Sequence, residues 1–215
     1  GLGDVYKRQF ILFGISGLFT YFQSLPSLLE KKPTLATGKI LARPMEIDQF
    51  ELIDQNNAAF NNKSLEGGWT VVFFGYTNCP DVCPTTIYKL AEIKNGIKEK
   101  LPSTDFNTVL VTLDPDRDSA QRLDEYIGYF DETMLGVTGT YENIQSFTSS
   151  LSVFYQRINK VEGYDFNHTA SIFVFDKNGL LFATMSPANT IGELTEDFYT
   201  ICLLYTSPSP RDRYG

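Results

Sequence analysis

An apolar run of β type, Trp69-Thr70-Val71-Val72-Phe73-Phe74, stops at Gly75 and opens into Cys79-Pro80-Asp81-Val82-Cys83-Pro84. Beyond this loop Ile87, Leu90, Ala91 and Ile97 recur at helical spacing. Such a change of period predicts a strand, a loop and a helix, with both thiols where the helix begins. Side chains one turn apart on a helix start roughly 6 Å from each other. The two sulfurs can therefore grip one ion or close into a disulfide. The free N–H groups and positive dipole end of the helix favour thiolate over thiol. Far downstream stands the chain's single histidine, His168.

The two ends of the chain read differently from the rest. Gly1 to Gln9 and Cys202 to Asp212 back-translate to inverted copies of one DNA segment, which resembles a transposase-type sequencing-library adapter. Residues 1–9 and 202–215 are therefore set aside from fold reasoning, as expression scars would be. Cys202 leaves the thiol count with them, so the remaining cysteines are the motif pair. Without these tails the formal net charge moves from −8 to −10. A chain this acidic is a poor partner for nucleic acid.

Residues 10–25 open the remaining sequence with Phe10 to Phe22, apolar and uncharged. This stretch is shorter than the roughly 18–20 residues of a membrane span and fits the length of a signal-peptide core. Gln23 to Lys32, which follows, contains no small-x-small cleavage pattern and leads into a tether over 26–48, so the expectation is part of a membrane anchor. A cleaved signal or a buried helix is the alternative. Either export reading puts the thiols outside the cytoplasm.

Residues 49–201 suit one domain with a substantial core. Short strands flank the Gln55-Asn56-Asn57 turn (Phe50 to Ile53, Ala58 to Phe60). After the motif helix come a strand (Thr108 to Leu113), a helix (Ser119 to Tyr129), a strand (Leu135 to Thr138) and a helix (Glu142 to Leu151) behind a Thr140 cap. Two strands joined at Asp176-Lys177-Asn178-Gly179 (Ser171 to Phe175, Leu180 to Thr184) and a last helix (Ile191 to Tyr199) close the domain. This order predicts an α/β, thioredoxin-like fold, a mixed central sheet flanked by helices. Thr34 to Pro44 reads as a turn-rich connector able to form an edge hairpin.

The segments FFGYTNCPDVCPTTI, VTLDPDRDSAQRLDEYI, LGVTGTYENIQSF and YDFNHTASIFVFDKNG, in this order, resemble the Sco/SenC family of copper chaperones for cytochrome c oxidase. The resemblance covers about Phe50 to Tyr199. It implies a thioredoxin-like domain tethered to an inner membrane, facing the bacterial periplasm or the mitochondrial intermembrane space. It further implies that Cys79, Cys83 and His168 bind copper and deliver it to the copper A site on subunit II of the oxidase. The upstream copper donor and thiol reductant are not specified by it.

The chemistry of the donors agrees. Cu(I) is soft and accepts low-coordinate thiolate sites, whereas structural zinc normally takes four protein ligands. Cu(II) could also be held if His168 and an oxygen donor complete the set. Asp81 either tunes the charge of the loop or caps the helix. Asp114 either lies just behind the metal or docks a partner, or else the Asp114 to Asp118 run is a turn and cap for the next helix, a role that suits Asp118. Tyr76 and Phe166 are candidates to shield the metal from water.

The same thiols also support a rival function, a thiol-disulfide oxidoreductase that reduces the cysteines of the oxidase copper site. A peroxidase, suggested by Thr77 two residues before Cys79, and a plain structural disulfide are weaker readings. Phosphate-cradling loops, His-Glu-x-x-His and serine-nucleophile motifs do not occur in the sequence.

Overall fold

The computed structural model describes residues 34–206. The expected anchor, 10–25, and the adapter-like residues 1–9 lie outside that range. So do the first part of the connector and the last residues of the C-terminal tail. Among the described residues no helix is long and apolar enough to cross a membrane.

The described residues contain ten strands and four α-helices: β1 (Gly38–Met45), β2 (Glu51–Asp54), β3 (Ala59–Asn61), β4 (Trp69–Gly75), α1 (Val82–Lys100), β5 (Phe106–Thr112), α2 (Ala120–Gly128), β6 (Leu135–Thr138), α3 (Tyr141–Ser150), β7 (Tyr155–Asn159), β8 (Tyr164–His168), β9 (Ile172–Phe175), β10 (Leu181–Met185) and α4 (Ile191–Thr206). Eight strands form one sheet in the order β1-β10-β9-β4-β5-β6-β2-β3, and β7 pairs with β8 as a separate ribbon. At its centre β4 runs parallel to β5 and antiparallel to β9. With the β9–β10 hairpin and α4 this is the expected thioredoxin-like arrangement.

Every residue of β4 is buried, so it reads as a continuous apolar run instead of an alternation. Trp69, Val71 and Phe73 pack on one face with Ile87, Leu90, Ile93 and Ile97 of α1 and with Leu194 and Phe198 of α4. Val72 and Phe74 pack on the other with Phe147 of α3. There Phe147 stacks on Phe50 at 4.0 Å and meets Phe74 edge-on at 5.3 Å. The central strand is clamped from both sides, which gives the loop at its C-terminal end a rigid base.

Two boundaries differ from expectation. The connector 26–48 contains β1, an edge strand paired antiparallel with β10. Gly38 permits this, because a Cβ there would lie 2.2 Å from the Thr184 carbonyl oxygen. Asp197 of α4 fastens the same segment by accepting from the N–H of Ala36 and from the N–H and hydroxyl of Thr37. The last helix, expected to end at Tyr199, runs to Thr206. Ile201 and Cys202 continue its buried stripe three and four residues beyond Phe198. The boundary at 201 is thus not a structural edge.

Candidate metal centre

The loop after β4 carries both thiols to the start of α1, as the change of period predicts. Cys83 is wholly buried and Cys79 is half-buried. Gly75 makes room for the deeper sulfur, since a Cβ there would stand 2.9 Å from Cys83 Sγ. Both cysteines are free thiols.

Asp81 occupies the position before α1, but its side chain makes no capping hydrogen bond, which overturns the capping reading. The sulfur of Cys79 takes that role and accepts from the Cys83 N–H at 3.4 Å. Hydrogen bonds from the Cys83 thiol and from the loop N–H groups hold the Cys79 thiol far below its ordinary pKa, against a burial effect that opposes them. Donation to Cys79, together with its own burial, pushes the Cys83 thiol up. The more accessible Cys79 is thus the sulfur that gives up its proton more readily, and the buried Cys83 the one that holds it longer.

His168 arrives from the last residue of β8, on the ribbon outside the main sheet. Its Nδ1 lies 3.2 Å from the Thr169 carbonyl oxygen. A carbonyl oxygen can only accept, so Nδ1 bears the proton and Nε2 offers a lone pair. That Nε2 lies 3.9 Å from Cys83 Sγ, across 85 residues of sequence. Donors held about 2.0–2.3 Å from one ion and spread in a triangle stand roughly 3.7 Å apart, so this pair already has the separation a shared ion requires. Among the described residues no group of three or more His, Cys, Asp or Glu side chains is fully gathered at metal-binding spacing.

The ribbon is held in place by the loop it faces. The Tyr76 and Phe73 rings meet the imidazole edge-on at 6.1 and 6.2 Å, and Tyr76 packs on Phe166 at 5.4 Å. Tyr76 also donates its hydroxyl to Asp165, which pairs with Lys160 near the ribbon tip. Both aromatic candidates are therefore buried, Tyr76 against the imidazole and Phe166 against Tyr76, and Tyr76 additionally locks β8.

Asp114 is fully buried but makes no hydrogen bond to either thiol or to His168. It pairs with Arg117 and accepts from the Tyr164 hydroxyl at 2.8 Å. Arg117 donates to the Tyr164 carbonyl at 3.2 Å and stacks 3.8 Å above its ring, which Arg157 also covers at 3.5 Å. Asp114 thus seats the beginning of β8, and with it the strand that carries His168. Asp118 does not cap α2; Ser119 does, accepting from the Arg122 N–H. The Asp118 carboxylate turns inward and accepts from the Thr77 N–H at 2.9 Å, the Thr77 hydroxyl at 2.6 Å and the Thr112 hydroxyl at 2.6 Å. It fixes the loop two residues before Cys79. The signal for this was two carboxylates behind one strand end, where only one can serve the helix.

Comparison with known proteins gives a consistent picture. The family model described as SCO1/SenC matches residues 40–202. A SCO2-like protein of Rickettsia felis is 34% identical over 181 residues, covering 82% of this chain and 87% of that protein. Among solved structures, Bradyrhizobium japonicum ScoI with copper bound is 31% identical with a TM-score of 0.64, covering 72% of this chain and 98% of that one. Arabidopsis thaliana ScoI with copper bound is 29% identical with a TM-score of 0.69, covering 73% of this chain and 98% of that one.

Proposed function

The chain belongs to the SCO1/SenC family, and on that premise we propose that it is a copper chaperone that loads the copper A site on subunit II of cytochrome c oxidase. Its ligands are Cys79, Cys83 and His168, and it works from a membrane tether, facing the periplasm or the intermembrane space. Relatives solved with copper bound support the choice of ion. The observation that carries the reading is the 3.9 Å approach of His168 Nε2 to Cys83 Sγ, with Nδ1 tied back to a carbonyl. An imidazole so oriented is prepared to bind metal, and two thiolates with one imidazole suit a soft ion.

The half-buried Cys79 is the side from which cargo would leave. A sulfur or nitrogen of the acceptor enters there before the donor's ligands let go, and His168, on its own ribbon, can withdraw without disturbing the sheet. The accessible, charged Cys79 with a buried thiol behind it also favours a second reading, disulfide reduction of the same acceptor.

One experiment separates the two. Cu(I)-loaded protein is mixed with the reduced soluble domain of subunit II, and copper-free protein with the oxidised domain. For His168→Ala we expect Cu(I) affinity to fall on the order of a hundredfold, about 2.7 kcal/mol. Copper transfer falls with it while thiol exchange continues. A wild-type protein that reduces the oxidised domain but passes on no copper would overturn the chaperone in favour of the reductase.

A further inference from the structure

Among the described residues the ribbon that carries His168 has no ladder to the main sheet, because β8 pairs with β7 alone. The ribbon's end bonds, from the Lys160 N–H to the Gly163 carbonyl and from the Thr169 N–H to the Phe154 carbonyl, fix which main-chain groups face β7. Those of Tyr164, Phe166 and His168 then lie on the edge away from β7. On that edge side chains stand in for a neighbouring strand. Arg117 donates to the Tyr164 carbonyl at 3.2 Å, four residues before His168. The Phe166 N–H, which Asp165 Oδ1 also accepts at 3.0 Å, meets the Tyr76 hydroxyl oxygen at 3.4 Å, only two residues before His168.

Tyr76 touches every part of the site. Its carbonyl accepts from the Cys79 N–H at 3.2 Å, and its ring meets the imidazole and Phe166 edge-on. Its hydroxyl donates to one oxygen of Asp165, whose other oxygen pairs with Lys160. The buried ring fills space that phenylalanine would fill as well. What the hydroxyl adds is a bond between the thiol loop and the ribbon.

We propose that the Tyr76 hydroxyl is a latch that holds the ribbon against the thiol loop, which makes Tyr76 a positioning residue for the His168 imidazole. With the latch made, Nε2 stands 3.9 Å from Cys83 Sγ. With it lost, β8 keeps only the more distant of its two edge contacts, and the imidazole moves off the sulfur. The inference rests on the three-ligand site proposed above, but the position of the ring can be read without copper.

The test is Tyr76→Phe in the full chain. It strands no partner, since the Phe166 N–H keeps Asp165 Oδ1 and that carboxylate keeps Lys160. His168 is the only histidine of the chain, so its imidazole signals are unambiguous in a proton–carbon NMR correlation spectrum of the reduced, copper-free protein. In the wild type the edge-on rings of Phe73 and Tyr76 displace these signals, and in the variant they move to the positions of free histidine. Cu(I) affinity, read by chelator competition, falls about tenfold, the lower end for a group that orients a metal ligand. Made in the His168→Ala background, the same change lowers affinity by less than about twofold, because the two residues act through one contact. An equal fall in both backgrounds would place the effect on the thiol loop and overturn the proposal, as would imidazole signals that stay at their wild-type positions. If the signals move while copper affinity changes in neither Tyr76→Phe nor His168→Ala, the imidazole is not a ligand: the three-ligand site fails and the latch stands.

Discussion

Cys83→Ser is expected to lower Cu(I) affinity by about four orders of magnitude, roughly 5.5 kcal/mol, while leaving the fold in place. The sulfur it replaces is fully buried and sits in the space left by Gly75, 3.9 Å from the imidazole. Serine has nearly the same shape, so the core around α1 keeps its packing. What changes is the donor, because a hard neutral hydroxyl does not compete for a soft ion that takes thiolate. Cys79 is left with a single imidazole partner and gives no more than the weak binding of a lone exposed thiol. Competition against a chromophoric Cu(I) chelator measures the loss, and far-UV circular dichroism shows that the protein is folded. Affinity within tenfold of the wild type would mean that Cys83 is not a ligand.

The largest effect on stability is expected for Asp118→Ala, a loss of about 3 kcal/mol or more. The carboxylate is fully buried and receives three hydrogen bonds, from the N–H and hydroxyl of Thr77 and from the hydroxyl of Thr112. Alanine removes the acceptor and leaves the Thr77 N–H and the Thr112 hydroxyl without one in a dry site, while the Thr77 hydroxyl keeps only Asn78 Oδ1 at 3.2 Å. For a domain of this size that corresponds to a melting temperature lower by about 6–12 °C. Because Thr77 lies two residues before Cys79, the freed loop also lowers copper affinity, an effect that urea denaturation and chelator competition read separately. Asp118→Asn keeps one acceptor oxygen and falls between the wild type and alanine. A shift below about 0.5 kcal/mol, the range of ordinary surface substitutions, would show that the clamp contributes nothing.

What the sequence made legible follows burial. Central elements announce themselves because a strand covered on both faces must be apolar throughout, as in β4, and a helix lying on it must show a stripe, as in α1 with Ile87, Leu90 and Ile97. The β7–β8 ribbon was missed for the converse reason. Outside the main sheet, β7 exposes Gln156, Arg157, Ile158 and Asn159, so its residues carry no two-residue alternation. His168 was therefore visible as a ligand candidate, through its family resemblance, but not as the end of a strand. The edge strand β1 was read only as a connector able to form an edge hairpin, because its residues are at least partly exposed and carry little pattern.

Polar residues were harder still. Asp81 and Asp118 both stand where a capping carboxylate is expected, and neither caps. A sulfur satisfies the first helix start and Ser119 the second, choices that depend on tertiary neighbours absent from local sequence. Asp114 was expected near the metal and acts one step further back, through Arg117 and Tyr164 on the ribbon that bears His168.

The central claim is a single ion shared by Cys79, Cys83 and His168. Copper K-edge X-ray absorption on the reduced, Cu(I)-loaded protein tests it most directly, since it counts sulfur and nitrogen donors around the metal without reference to transfer or activity. The account predicts two sulfur donors and one imidazole nitrogen, with the imidazole signal lost in His168→Ala. Two sulfurs alone, with a spectrum unchanged by His168→Ala, would contradict it.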